Sequence, residues 1–362
     1  MAVVVENLKS GEATNYQGIT PSGGLGNAGW GQIGTTIFAP SVKYQYGGRT
    51  GRLYILNAGS STAAITPKFR LKDNGTSTTC SSFTLSPLER RTYAANDCGL
   101  SASGQLYGVK LTSTQPLAVV LVEQSDSGAA LTASSNAFST GVQDNDNYAP
   151  LIKSHFAGNS SGIVVQNASS SSTSSTLVDV YYYDSDSTST WGPDGATIRA
   201  VSSHVFWAPN TVPADQVASA WISGGDKLVS TVYETKLSGN WRMQHNGFIA
   251  GTITVILPRL YKNHSDGSVT WNTGIQVQNT GTTQANVTVT YYDIAGTIVD
   301  TEPPTSIQPT RSVTFYQPNN PDLPNGFVGS AIITSDQPIV AVVNVANAGG
   351  GDAAMSYNGF NR

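Results

Sequence analysis

The segment PLAVVLVE at residues 116–123 is written again as KLVSTVYE at 227–234 and as PIVAVVNV at 338–345. These three copies begin 111 residues apart. A shorter copy, AVVVE, stands at residues 2–6. Self-similarity at a fixed period is the signature of a tandem array. The spacing therefore predicts three complete repeats, with one extra copy of their last strand at the start of the chain.

Further anchors recur in the same order in each repeat. Each complete unit opens on an aliphatic residue followed by proline, at Ala39-Pro40, Ala149-Pro150 and Leu257-Pro258. An Asn-x-Phe tail follows each long strand copy, and Asn15-Tyr16-Gln17-Gly18-Ile19 is aligned with it after the short copy. The anchors predict a leader strand with a Gly-rich tether over 1–38 and repeats over 39–147, 148–255 and 256–362.

Alternation with a period of two dominates the chain. VTVTY at 287–291 and IQVQ at 275–278 place aliphatic residues on one face and polar residues on the other, which is typical of half-buried strands. About seven short strands per repeat, separated by frequent turn signals, predict three tandem immunoglobulin-like β-sandwiches in an all-β chain. Superposing the repeats places one row of residues inward and leaves Trp221 on the opposite face, exposed or buried only against a neighbour.

Composition excludes several classes of protein. Charged residues make up 12% of the 362 residues and the net charge is −4, with no basic stripe of the kind that binds nucleic acid. No stretch approaches the roughly 20 apolar residues of a membrane span. The four histidines are dispersed, and no zinc-protease, nucleophile-elbow or phosphate-loop motif occurs. We therefore expect a protein that is not an enzyme.

The third repeat resembles a repeat of large secreted and cell-surface proteins of filamentous bacteria, the Chloroflexota in particular. The resemblance is carried by Leu257-Pro258, WNTGIQVQN at 271–279, YYD at 291–293, GFVGSA at 326–331 and YNGF at 357–360. The second repeat matches in outline and the first is the most diverged. The resemblance implies an extracellular or cell-surface modular protein, and it brings no catalytic residues with it.

Cys80 and Cys98, the two cysteines of the chain, both lie in the first repeat. Paired, they would close a loop of about 19 residues and stabilise the fold by roughly 3 kcal/mol. The alternative is two buried free thiols, as in a cytosolic protein. The extracellular character of the composition favours the disulfide.

The run DNDNYAP at 144–150 resembles the calcium-binding linker of cadherins, and the candidate ligands are Asp144, Asp146 and Asn147. Calcium takes six to eight oxygens, and this run offers fewer. The alternative is a plain polar linker between the first and second repeats, which needs no cofactor.

Two further kinds of surface site are predicted. The glycosylation sequons lie at Asn74, Asn159, Asn167, Asn263 and Asn286. The tryptophans raise the prospect of sugar binding, because flat aromatic rings stack on sugars. They do not recur at one position of the repeat, as a repeated ligand site would, and this favours packing instead.

The extra strand near the start has two interpretations. The sequence could begin in the middle of an array, or the valines at positions 3, 4 and 5 could pair with a neighbouring subunit by β-strand addition. Val3, Val4, Val5 and Trp221 are therefore the candidate subunit contacts. In the second interpretation the protein polymerises with copies of itself.

The leading functional prediction is an extracellular structural protein that builds a filament, sheath, surface layer or stalk from sandwiches arranged in series. The alternative is an adhesin or carbohydrate-binding module that recognises cell-wall or extracellular glycans. The sequence does not identify the partner or the symmetry of a polymer.

Overall fold

The computed structural model describes residues 4–9, 12–17, 33–127, 132–171, 173–185, 187–236, 242–267, 269–347 and 354–362. Within these ranges the regular structure is β-strand, apart from four 3₁₀ turns at Ala95–Cys98, Thr140–Val142, Ala208–Asn210 and Gln317–Asn319. The predicted all-β class is confirmed. No helix in the described ranges is long and apolar enough to cross a bilayer.

The strands form one hairpin and three larger antiparallel networks, one network for each repeat. The hairpin consists of β1 (Val4–Lys9) and β2 (Glu12–Gln17). The first repeat contains β3 (Gly34–Tyr44), β4 (Arg49–Asn57), β5 (Ala63–Leu71), β6 (Ser77–Thr79), β7 (Phe83–Leu85), β8 (Arg90–Tyr93), β9 (Gln105–Ser125), β10 (Thr132–Asn136) and β11 (Phe138–Ser139).

The second and third repeats follow the same order. The second contains β12 (Asp144–Ser154), β13 (Asn159–Asn167), β14 (Ser175–Asp184), β15 (Thr190–Arg199), β16 (Ser203–Trp207), β17 (Gln216–Lys236) and β18 (Arg242–Asn246). The third contains β19 (Thr252–Lys262), β20 (His264–Asp266), β21 (Val269–Asn279), β22 (Ala285–Asp293), β23 (Ile298–Thr301), β24 (Thr305–Ile307), β25 (Ser312–Tyr316), β26 (Phe327–Asn347), β27 (Ala354–Asn358) and β28 (Phe360–Asn361).

One long strand organises each repeat. The first half of β9 pairs with β3 and β5, and its second half pairs with β4 and β10. The strands β17 and β26 divide in the same way. Pro116 and Pro338 lie where the partners change, a place where a missing backbone donor is tolerated. The segment that defines the repeat is thus the second half of a strand whose two halves pair with different partners.

The predicted repeat boundaries fall inside strands. The first strands of the three repeats begin at Gly34, Asp144 and Thr252, before the predicted starts at 39, 148 and 256. The proline of each opening anchor lies inside the first strand of its repeat. Pro40 falls in the register shift between Ala39 and Val42, and Pro150 and Pro258 fall in the equivalent shifts of the other two repeats. A β-bulge accommodates a proline that the regular ladder would reject.

Each repeat has its own apolar core. The row predicted to point inward is buried in all three, as the alternation indicated. Its members are Tyr107, Val109 and Leu111, then Ala218, Ala220 and Ile222, then Gly329, Ala331 and Ile333.

Cys80 and Cys98 form the predicted disulfide, with their Cα atoms 5.2 Å apart. Cys98 ends a 3₁₀ turn, and Cys80 follows β6. Both pack against the core of the first repeat. The bond therefore ties a connection at the edge of the sheet to the turn that precedes β9.

Replacing both cysteines with serine should lower the free energy of unfolding by about 3 kcal/mol, because the unfolded chain loses a constraint on a loop of this length. Urea denaturation followed by far-ultraviolet circular dichroism measures the change. Wild-type protein under reducing conditions is the matched control and should shift by a similar amount. A loss below about 1 kcal/mol in both would contradict the assignment of a stabilising role.

Candidate functional site

Four short strands contact one another, one from the leader hairpin and one from each repeat. The strand β2 contacts β10 and β27, and β18 contacts the same two strands. They therefore form a closed ring, which we call the strand ring. The sequence predicted repeats in series, but the contacts arrange the three repeats and the leader hairpin around one centre.

Asparagine side chains join the strands of this ring. Asn246 donates from Nδ2 to the carbonyl of Asn136 at 3.0 Å, and Asn358 donates from Nδ2 to the carbonyl of Asn246 at 2.7 Å. The backbone N–H of Asn246 also donates to Oδ1 of Asn358 at 3.1 Å. All three asparagines are buried. The Asn-x-Phe tail, which the sequence marked only as an anchor, is therefore an element of the contact between repeats.

The three asparagines occupy equivalent register positions, opposite Val120, Thr231 and Val342. In the leader hairpin, Val4 is paired with Gln17. When Glu6 is aligned with Glu123, Val4 corresponds to Leu121, so the leader position equivalent to Asn136 is residue 18, which lies outside the described residues. In the same alignment Asn15, opposite Glu6, corresponds to Ala133 and not to Asn136.

A buried charged cluster lies between the first and second repeats. Lys43 and Glu123 form an ion pair at 2.7 Å, and their side chains are 1% and 0% exposed. Arg242, which belongs to the strand ring, places its Nε 3.4 Å from Oε2 of Glu123. Sequence reasoning missed this cluster. The sequence signal that could have predicted it is a lysine at equivalent positions of the three repeats, 43, 153 and 262, together with a glutamate at the equivalent positions 123 and 234.

Burial and neighbouring charges shift the pKa values of Lys43 and Glu123. Burial, followed by the charge of Arg242, lowers the pKa of Lys43 to about 7 against the opposing pull of Glu123. Burial alone would raise the pKa of Glu123, but Arg242 and Lys43 together hold it below the usual range. The carboxylate therefore stays ionised and neutralises the cations packed around it.

Tyr233 of the second repeat contacts the first repeat, because Nζ of Lys43 lies 4.9 Å from the centroid of its ring. Its ring stacks on Trp207 with centroids 6.0 Å apart, and the guanidinium of Arg242 lies 4.1 Å from the ring centroid. A Cβ atom on Gly162, opposite Tyr233 in the sheet, would overlap the ring. Burial raises the pKa of Tyr233 to about 12, so the phenol stays neutral. Tyr233 and Arg242 thus fill this interface.

The contact between the second and third repeats is built from the same positions but is open. Lys153 pairs with Glu234 at 2.7 Å, as Lys43 does with Glu123. The register places Asn344 and Ala354 where the second repeat has Tyr233 and Arg242. A cleft of about 860 Å³ lies here between the two repeats. The smaller side chains explain the space.

The predicted calcium ligands lie in strand β12, and not in a linker. Asp144 pairs with Lys227 at 2.9 Å, and Oδ1 of Asp146 accepts the indole N–H of Trp221 at 3.0 Å. The buried Asn147 accepts a hydrogen bond from Ser230 at 2.9 Å. The segment was misassigned as a linker, because its polar residues satisfy partners along β17. Across the described part of the chain, no group of three acidic, His or Cys side chains is arranged to hold a metal.

Trp221 is half-buried within its own repeat, whereas the sequence predicted exposure or contact with a neighbour. Its ring stacks on Tyr181 with centroids 5.3 Å apart, and its N–H donates to Asp146. Val4 and Val5 lie in β1, and Val3 lies outside the described residues.

The structure divides the glycosylation sequons into two groups. Asn167 is fully buried and donates from Nδ2 to the carbonyl of Ile198, and Asn159 is also buried, so neither folded site can carry a glycan. Asn74 is half-buried and donates to the carbonyl of Thr197 in the second repeat. Asn263 and Asn286 are exposed, and glycosylation stays a prediction at these two and at Asn74.

Comparisons with known proteins do not identify a family. No protein-family model matches the chain, and no curated protein matches it. Among solved structures, a crystal structure of a protein designated Thermotoga maritima 1070 aligns with 18% identity and a TM-score of 0.27. The alignment covers 31% of this chain and 96% of that one. A TM-score of this size carries no argument about fold or function.

The variant Glu123→Gln should lower the free energy of unfolding by about 3–5 kcal/mol, because it leaves Lys43 and Arg242 buried without their counter-charge. Equilibrium denaturation measures the loss. The matched control is Glu89→Gln, at an exposed glutamate of the same repeat, which should change stability by less than about 0.5 kcal/mol. Equal stability of the two variants would contradict the role of the cluster.

His245, in the strand ring, makes the free energy of unfolding depend on pH. Burial, followed by the charge of Lys153, lowers the pKa of His245 from 6.5 to about 3. Between these pH values the unfolded chain binds a proton that the folded chain does not. The free energy of unfolding should therefore fall with decreasing pH, by about 1.4 kcal/mol per pH unit from this residue. Thermal unfolding of the wild type and of His245→Gln across that window isolates the contribution, and parallel curves would disprove it.

Proposed function

We propose that this protein is an extracellular structural repeat protein that serves as a rigid unit of a filament, sheath, surface layer or stalk. Its role in this proposal is mechanical and non-catalytic. The observation that carries the proposal is the strand ring, in which buried asparagines hydrogen-bond one repeat to the next. Repeats fixed to one another in this way transmit force as a single body, whereas beads on flexible linkers would not.

The disulfide and the composition support an extracellular location. Disulfides persist in oxidising compartments and are rare in the cytosol, and Cys80 and Cys98 are paired. The charged fraction of 12% and the abundance of small polar residues are consistent with that setting. The resemblance to bacterial cell-surface repeats points in the same direction.

The leader hairpin supports a way in which copies could join. In the first repeat, the second half of β9 pairs with β4 on one edge and with β10 on the other. The equivalent strand β1 pairs with β2 alone within the described part of the chain. An unpaired strand edge is a template for pairing with another chain. In our proposal, β1 of one copy adds to a strand edge of the next copy, and this head-to-tail contact extends the assembly.

Deletion of residues 2–8, which removes most of β1, should convert assembled material into single particles, because the pairing edge is lost. Negative-stain electron microscopy of the purified full chain and of the deletion variant gives the readout. The control variant is Leu177→Ser, at a leucine that is 58% exposed on the second repeat, and it should assemble normally. Unchanged assemblies after the deletion would refute linkage through β1, and a wild type that stays monomeric would refute the structural role.

An adhesin or carbohydrate-binding role is the second candidate, and the cleft between the second and third repeats is the observation that favours it. The tryptophans in the described part of the chain do not. Trp207 and Trp221 stack on tyrosines of their own repeat, Trp191 packs against the core of the second repeat, and Trp271 is 5% exposed. Trp30 and Trp241 lie outside the described residues.

A further inference from the structure

The cleft between the second and third repeats exists because of a divergence between equivalent positions. Tyr233 covers the face of Trp207 in the second repeat. Tyr316 takes the place of Trp207 in the third repeat, because both lie opposite equivalent glycines, Gly162 and Gly274. The residue equivalent to Tyr233 is Asn344, which is too short to cover Tyr316. Tyr316 is accordingly 45% exposed and lines the cleft.

The space around Gly274 confirms that the cleft is open. A Cβ atom built on Gly274 would meet only the Tyr316 ring, at 3.5 Å, whereas one on Gly162 would overlap Tyr233. Phe156, from the second repeat, also lines the cleft and is 41% exposed. Two exposed aromatic rings, one from each repeat, therefore face a cavity that is within the roughly 300–1,000 Å³ range of small-molecule sites.

Polar groups in the cleft offer hydrogen-bond acceptors. Oδ1 of Asn344 is buried and has no hydrogen-bond partner among the described residues, while its Nδ2 donates to Glu234 at 3.2 Å. A buried acceptor without a donor is costly. On the third repeat, Asn320 donates to Asp300 at 2.8 Å and to Glu302 at 3.2 Å, which orients these two carboxylates along the wall.

The charge of the cleft restricts the ligand. Asp300, Glu302 and Asp322 line it, and Lys153 is the cation among the lining residues. That lysine is already paired with Glu234. The field inside the cleft is therefore negative and disfavours uronic acids, sulfated sugars and phosphates. Flat aromatic rings that stack on sugar C–H faces, together with acceptors for hydroxyl groups, suit an uncharged saccharide.

We infer that the cleft between the second and third repeats binds an uncharged oligosaccharide, with Phe156 and Tyr316 stacking on sugar rings and Asn344 accepting a hydroxyl hydrogen bond. The inference rests on the second candidate function and is independent of polymerisation. A structural unit with such a site would attach its assembly to a neutral polysaccharide matrix. The corresponding position between the first and second repeats is filled by Tyr233 and takes no ligand.

The test is calorimetric titration of the full chain with tetra-N-acetylchitotetraose, cellotetraose and mannotetraose, and with tetragalacturonate as the anionic comparison. One of the uncharged sugars should bind, and tetragalacturonate should not. Phe156→Ala and Tyr316→Ala should each weaken binding about tenfold, while Tyr316→Phe retains the stacking ring and should bind like the wild type. The control is Tyr54→Ala, at a tyrosine that is 38% exposed on the first repeat, and it should leave the affinity unchanged.

Asn344→Tyr provides a second and independent variant. It introduces the residue that fills the equivalent interface, so it should close the cleft and abolish binding while the thermal unfolding temperature stays at or above that of the wild type. The inference is overturned if none of the uncharged sugars binds, or if the folded Asn344→Tyr protein binds as tightly as the wild type. It is also overturned if tetragalacturonate is the probe that the cleft prefers. None of these outcomes bears on assembly seen by microscopy.

Discussion

The hydrogen bonds between buried asparagines in the strand ring are the constraint on which the arrangement of the repeats depends. Each tail strand, such as β18, pairs along one edge with the long strand of its own repeat and turns its other side toward a neighbour. Every residue of β18 and β27 is buried. Buried polar groups need partners, and the backbone N–H, Nδ2 and carbonyl of Asn246 find theirs on Asn358 and Asn136.

Apolar contacts reinforce the same interfaces. Phe38 and Phe138 of the first repeat pack with Val229 of the second. Phe248 of the second repeat packs with Val340 and Val342 of the third in the same manner. These contacts supply non-directional stabilisation, whereas the asparagines set which strand lies beside which. The combination explains how one interface can be used repeatedly around a centre.

The two interfaces between successive repeats differ because equivalent positions carry different residues. Between the first two repeats, Tyr233 and Arg242 fill the space and surround the ion pair of Lys43. Between the second and third, Asn344 and Ala354 leave a cleft. Lys262 has lost its glutamate to Val345 and donates instead to the carbonyl of Leu323 at 2.7 Å. The strand pairing is equivalent at the two interfaces. The volume and charge of the side chains therefore determine whether each interface is filled or open.

The sequence by itself determined the repeat, the strand class, the inward rows and the disulfide, because these follow from the chain period and from contacts within one repeat. Val109 and Leu111 could be placed inward from alternation alone, since period-two burial is a local property of strands. Only the tertiary structure decided the strand ring, the Lys43–Glu123–Arg242 cluster and the cleft at Asn344. These depend on residues of different repeats meeting, and the spacing of the repeats along the chain does not specify how they turn toward one another.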